Sequence, residues 1–130
     1  MVSAKVKNYM SAGLVTLSPS TSILEAARCL VEQRISGAPV LDQQGNLVGL
    51  LSEKDCMRIA LHAGYHSDAA GTVEEYMHKE VKTVDAERNI IDVATMFIED
   101  DYRRYPVMKD GRLVGQISRR DVLRALADLT

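Results

Sequence analysis

At 130 residues, 46% of them hydrophobic and 26% charged, the chain is long enough for one core and too apolar for a disordered segment. A net charge of −2 gives no positive field for duplex nucleic acid, and five tyrosines, one phenylalanine and no tryptophan give few platforms for stacking single strands. No apolar run nears the about 20 residues of a membrane span, Met1-Val2-Ser3-Ala4-Lys5-Val6-Lys7 lacks a signal peptide's apolar core, and two cysteines make no disulfide framework, so a cytoplasmic protein is expected.

A short helical lead-in ends at Tyr9-Met10, and a brief strand follows at Val15-Thr16-Leu17. Ser22, with Glu25 three residues on, marks a helix start. Ile23, Ala26, Ala27, Leu30 and Val31 then recur at spacings of three and four, which lays one apolar stripe along that helix. Ala38 to Leu41 and Asn46 to Leu51 read as a hairpin around a glycine turn at Gly45. Pro39 lacks an amide hydrogen and so marks a strand start or edge rather than a central rung. Gly49 fits a bulge, a close backbone approach by a ligand, or simple packing. A closing helix opens near Glu53 and shows Cys56, Ile59 and Ala60 at helical spacing. His62 to Gly71 reads as a linker.

The chain then repeats itself. Tyr76-Met77 lies 67 residues after Tyr9-Met10, and this register runs without a gap to Pro106-Val107 on Pro39-Val40. One residue is then lost in the turn, and at a shift of 66 Gly45, Leu47, Val48, Gly49, Ser52 and Asp55 meet Gly111, Leu113, Val114, Gly115, Ser118 and Asp121. The second copy has its own lead-in, with a capping box at Thr72 and Glu75, a strand at Lys82-Thr83-Val84, and a helix start at Asn89 with Asp92. Pro106 and Gly115 carry the same readings as Pro39 and Gly49. Cys29 and Cys56 align with Met96 and Val122, as small core residues would. The fold class is α/β (α+β): two β-α-β-β-α units packed about a pseudo-two-fold axis. The expected division is repeat 1 over 1–62 with its lead-in helix, a linker over 63–71, and repeat 2 over 72–130.

Each copy ends its hairpin at a strand-to-helix corner bearing a hydroxyl and a carboxylate. Asp55 and Asp121 fall in the first helical turn, where negative charge is favourable. Ser52 and Ser118 are placed to cap that helix or to touch a ligand. These corners, Leu-Val-Gly-x-x-Ser-x-x-Asp in both copies, follow Gly37-Ala38-Pro39-Val40 and Arg104-Tyr105-Pro106-Val107. With both motifs repeated at one internal distance, the whole chain resembles a tandem CBS-domain pair, or Bateman module.

That resemblance implies regulation rather than catalysis. Such pairs bind adenosine-containing ligands (AMP, ADP, ATP, NAD, S-adenosylmethionine) in clefts between repeats and commonly form homodimers. Asp55 and Asp121, with Ser52 and Ser118, would hold the ribose, since a carboxylate accepts bonds from two adjacent hydroxyls. Thr16, Ala38 and Pro39, and in the copy Thr83, Tyr105 and Pro106, would border the base. The copies differ before the proline, Ser36-Gly37-Ala38 against Arg103-Arg104-Tyr105, and before the aspartate, Glu53-Lys54 against Arg119-Arg120. Arginine suits forked bonding to phosphate. Arg103, Arg104 and Arg120 would therefore meet the phosphate of a ligand on Asp55, leaving Lys54 for one on Asp121. The opposing expectation pairs these arginines with Glu99, Asp100 and Asp101.

The expected function is an adenosine-ligand sensor that signals to an unidentified partner protein by changing shape. The alternative is a ligand-free dimerisation or scaffold module. No nucleophile motif or phosphate-cradling loop is present, so no catalytic residue is expected. His62 and His66 lack companions for a metal site, and none is expected.

Overall fold

The computed structural model describes residues 4–63 and 71–129, and of residues 62 and 63 the backbone only. Mixed helix and strand form two compact units that cross the sequence repeat: Val15–Val81, and Met1–Leu14 together with Lys82–Thr130. The lead-in of each copy thus belongs to the unit built on the other.

The Val15–Val81 unit contains α1 (Ile23–Gln33), β1 (Gly37–Leu41), β2 (Leu47–Ser52), α2 (Glu53–Ala63) and α3 (Val73–Tyr76). Ser22 Oγ accepts from the Glu25 amide and starts α1 as its sequence signature predicts. β1 and β2 pair antiparallel; Val40 faces Gly49 and Leu41 faces Leu47, which leaves Val48 as the extra residue of a bulge. On the far side of β2, Leu50 and His78 exchange backbone hydrogen bonds of 3.0 and 2.9 Å. Ile23, Ala26, Leu30, Val40, Leu51 and Ile59 close a core that Val73 of the exchanged lead-in enters.

The other unit starts with a 3-10 turn (Val6–Asn8) and adds β3 (Val84–Asp85), α4 (Ile90–Glu99), β4 (Arg104–Lys109), β5 (Arg112–Ser118) and α5 (Arg119–Asp128). Asn89 Oδ1 accepts from the Ile91 amide at 2.8 Å and caps α4. β3 runs parallel to β4, and β4 antiparallel to β5. Val107 faces Gly115 and Met108 faces Leu113, so Val114 is the counterpart bulge. Ser11 and Gln116 exchange backbone bonds of 2.9 Å each, as His78 and Leu50 do. Val6, fully buried, enters this core as Val73 enters the other.

Four expectations need correcting. Pro106 lies third in β4, the central strand of its sheet, whereas Pro39 lies third in β1, an edge strand of its two-stranded sheet. Each faces a residue, Leu50 or Gln116, whose amide and carbonyl turn away to the lead-in, so no hydrogen bond is asked of the proline on that side. The first short strand shrinks to one parallel bridge at Leu17, and its copy is Val84–Asp85, leaving Thr16 and Thr83 just before the pairing. Thr72 does not form the capping box; its hydroxyl donates to Glu75 Oε1 at 3.3 Å instead of accepting from the helix backbone. Val31, placed on the buried stripe by its spacing, is 77% exposed.

Gly49 and Gly115 are packing glycines. A Cβ on Gly49 would lie 2.5 Å from Met77 Sδ, and one on Gly115 would lie 2.6 Å from the Ser11 carbonyl oxygen. The close approach is made by the exchanged lead-in.

Candidate functional site

The last residue of β2 and the first turn of α2 build one corner. Asp55 is buried, and its Oδ2 accepts from the Ser52 amide at 3.0 Å and the Ser52 hydroxyl at 2.8 Å. Ser52 Oγ in turn accepts from the Asp55 amide at 3.1 Å. This reciprocal cap satisfies free donors at the helix start and places a carboxylate at the positive end of the dipole. The junction of β5 and α5 repeats it: Asp121 Oδ2 accepts from the Ser118 amide at 2.9 Å, and Ser118 Oγ from the Asp121 amide at 3.1 Å. Serine and aspartate therefore cap first, and only Oδ1 of each carboxylate faces outward.

What meets Oδ1 was not read from the sequence. At Asp55 it is His78 Nε2 at 3.0 Å, with Arg58 Nη1 at 3.6 Å. At Asp121 it is Arg124 Nη1 at 3.2 Å. Arg124 Nη2 also donates to the Tyr9 carbonyl at 3.1 Å, and the guanidinium lies 5.5 Å over the Tyr9 ring. Tyr9 donates its hydroxyl to Asp128 Oδ2 at 3.0 Å, which raises the phenol pKa. Arg58 and Arg124 share the 66-residue register, three positions after the aspartate, so a signal for them existed. His78 aligns with Ser11, and no repeat announced it.

Each unit gathers its own share of the predicted residues. Thr16, Ala38, Pro39, Ser52, Lys54 and Asp55 fall in one; Thr83, Arg103, Arg104, Tyr105, Pro106, Ser118, Arg120 and Asp121 fall in the other. Among the described residues, the side chains of Lys54, Arg103, Arg104 and Arg120 make no hydrogen bond or ion pair. The expected acidic partner Asp100 is engaged elsewhere, by Lys82 Nζ at 2.6 Å and the Tyr105 hydroxyl at 2.8 Å, and Lys82 first, then Tyr105, lower its pKa. Arg119 donates to the Tyr102 carbonyl at 2.9 Å.

Tyr105, expected beside a base, turns its side chain into the core. Its ring is fully buried, 4.5 Å from Phe97 centroid to centroid, and burial with the Asp100 bond pushes its phenol well above the usual range. Ala38 is buried too, so what remains for a base on either strand is backbone beside the proline. Cys56 is buried, and burial together with Asp55 raises its thiol pKa, which keeps the sulfur protonated. Among the described residues no three histidine, cysteine or acidic side chains gather as a metal set, and no helix is long and apolar enough to cross a membrane. The His62 side chain and His66 lie outside the described residues.

Each unit also presents an apolar groove between its two long helices. One is lined by Ala27, Val31, Met57 and Ala60, the other by Ala94, Ile98, Leu123 and Leu126. Val31 and Met57 occupy the repeat positions of Ile98 and Leu123, and all four are exposed.

Comparison with known proteins adds a family match, two relatives and two solved structures. A family model described as CBS domain matches twice, over residues 6–62 and 73–128. The chain is 30% identical over 129 residues to an uncharacterised 17.7 kDa protein of Acidianus ambivalens, covering 98% of this chain and 76% of that one. It is 32% identical over 143 residues to the chloroplastic CBS domain-containing protein CBSX1 of Arabidopsis thaliana, covering 86% of this chain but only 58% of the relative. Among solved structures, CBSX2 in complex with AMP superposes with a TM-score of 0.83 at 30% identity, covering 96% of this chain and 97% of that one. The CBS domain pair of protein MJ0100, in complex with 5-methylthioadenosine and S-adenosyl-L-methionine, gives 0.81 at 28% identity, covering 99% and 100%.

Proposed function

The chain belongs to the CBS-domain family, and from that premise we propose that it is a regulatory sensor of an adenosine-containing ligand such as AMP, ADP, ATP, NAD or S-adenosylmethionine. One observation carries the reading. Each copy holds a buried, capped carboxylate whose outward oxygen is met, among the described residues, only by side chains more than half exposed, 63% for His78, 58% for Arg58 and 54% for Arg124. A ribose presenting two hydroxyls can replace such partners while the cap stays in place.

In this reading Asp55 and Asp121 take the ribose through Oδ1, with Ser52 and Ser118 holding the carboxylates. The unpartnered Arg103, Arg104, Arg120 and Lys54 bind phosphate, and the backbone beside Pro39 and Pro106, with Thr16 and Thr83, borders the base. The similar proteins bound to AMP and to 5-methylthioadenosine with S-adenosyl-L-methionine support the ligand class. The sensor works in the cytoplasm as a homodimer and passes its state to a partner protein, because a ligand that prefers one conformation shifts the population toward it.

Thermal melts with AMP, ATP, NAD and S-adenosylmethionine test this. A ligand at 100 times its Kd adds about 2.7 kcal/mol. Asp55→Asn and Asp121→Asn keep an oxygen for the cap and turn an amide outward, so each should abolish binding at its own corner and leave the fold intact. A panel that shifts nothing would leave the apolar grooves as the working surface of a ligand-free pairing module.

A further inference from the structure

The two corners differ in what holds the outward oxygen. Asp121 is met by a guanidinium, charged at every working pH and fastened to Tyr9 by a hydrogen bond and a ring contact. Asp55 is met first by an imidazole, with Arg58 standing off at 3.6 Å. His78 occupies the position where the other copy has Ser11, and both residues pair their backbone with the middle of the neighbouring strand. The pairing with Leu50 therefore presents the ring to Asp55, and the 63% exposed side chain can leave without breaking it. From α2, Asp55 and Arg58 are the charged groups facing the ring; β2 contributes the uncharged Leu50 and Ser52; its own segment carries Lys79 and Glu80, both exposed.

We propose that His78 competes with the ligand's hydroxyls for Asp55 Oδ1, and that the competition stiffens when the imidazole takes up a proton. This rests on the reading above, that Asp55 holds a ribose. A neutral ring offers one N–H to the carboxylate, which two hydroxyls can outdo. A protonated ring adds its positive charge to that bond and makes it an ion pair with a carboxylate shielded from water. Affinity at the Asp55 corner therefore falls at lower pH, as the ring takes up a proton. The Asp121 corner, held by Arg124, does not respond. The unequal corners give one ligand site that reads proton concentration and one that does not.

The test uses adenosine, which has no phosphate to titrate, with the full chain carrying Asp121→Asn so that one corner reports. Calorimetry at about pH 8 and about pH 5.5, on either side of the histidine range, compares this protein with the same protein carrying His78→Ser. The expected result is a loss of about fivefold to tenfold in affinity at the lower pH, the scale of up to one unit of proton linkage, and no pH dependence once His78 is serine. An equal pH response in both proteins overturns the competition while the measured adenosine binding keeps the ribose reading. Absence of adenosine binding in both, at both pH values, overturns the two together.

Discussion

Single residues decide how closely the exchanged lead-ins approach the sheets. An added methyl at Gly115 meets the backbone oxygen of Ser11 at 2.6 Å, which cannot move without breaking the pairing with Gln116. At Gly49 the nearest atom is the end of the flexible Met77, at 2.5 Å, with the His78 oxygen at 3.0 Å. Gly115→Ala should therefore cost about 1–3 kcal/mol in urea unfolding, and more than Gly49→Ala. Gly111→Ala is the control: it meets nothing within 4 Å and pays only for its φ of +77°. A neutral Gly115→Ala would mean the lead-in does not sit on β5. A second prediction concerns phosphate. Arg103→Ala with Arg104→Ala should weaken AMP by about tenfold or more, since each lost charge-assisted bond is worth about 1.5–3 kcal/mol, and should leave adenosine unchanged. The carboxylates and serines of the corners were legible because both copies carry them. Their first duty as a cap was legible only as an alternative, since the same spacing serves a helix or a ligand. His78 was illegible because it contacts Asp55 across 23 positions and no repeat marks it.

At the scale of elements, the clasp on the N-terminal lead-in sets one pH dependence. Lys7 and Lys5 reach Glu87 at 2.8 and 2.9 Å from the lead-in, and Lys109 at 3.0 Å from the end of β4. Lys7 first, then Lys5 and Lys109, hold the Glu87 carboxyl far below the usual carboxylate range. A depressed folded-state pKa gives stability that is present above the unfolded value of about 4.3 and is lost as pH falls below it. Hydrogen exchange at Val6 and Tyr9 should therefore quicken, relative to intrinsic rates, below about pH 4, the lower edge of the glutamate range. Glu87→Gln should give the faster exchange at every pH. An unchanged profile in Glu87→Gln would remove the clasp from the account. The other unit has Ser20, Thr72 and Glu74 at the positions of Glu87, Lys5 and Lys7, so exchange around Val73 should not follow this dependence. Helix starts at Ser22 and Asn89 and both hairpins were legible from caps, spacing and turn glycines. The one-residue bridge at Leu17 was not, because it is too short to show a period. Nor was the exchange of lead-ins: Val6 and Val73 are equivalent in sequence, and nothing local says which core each fills.

For the whole molecule, the exposed helix faces bear on assembly. The spacing that put Val31 on the buried stripe was right about its apolar character and wrong about what covers it. Ile98 repeats the departure at 85% exposure, as do Met57 and Leu123 on the helices beside them. Two misfits at equivalent positions of both copies point to a surface, since isolated exposed apolar residues are ordinary but twinned grooves are not. A homodimer that buried these side chains would gain about 1.5–3 kcal/mol from each, before the costs of association. Sedimentation should show a dimer, and Val31→Glu with Ile98→Glu should give a monomer. Because both residues are exposed within the chain, the variant should keep its helical circular dichroism and its own unfolding midpoint when compared at a concentration where both proteins are monomeric. A variant that stays dimeric would place the interface elsewhere. One that unfolds would show that these side chains serve the chain's own cores. Dimerisation also bears on sensing, since ligand affinity that changes with protein concentration would demonstrate coupling between the corners and the helix faces.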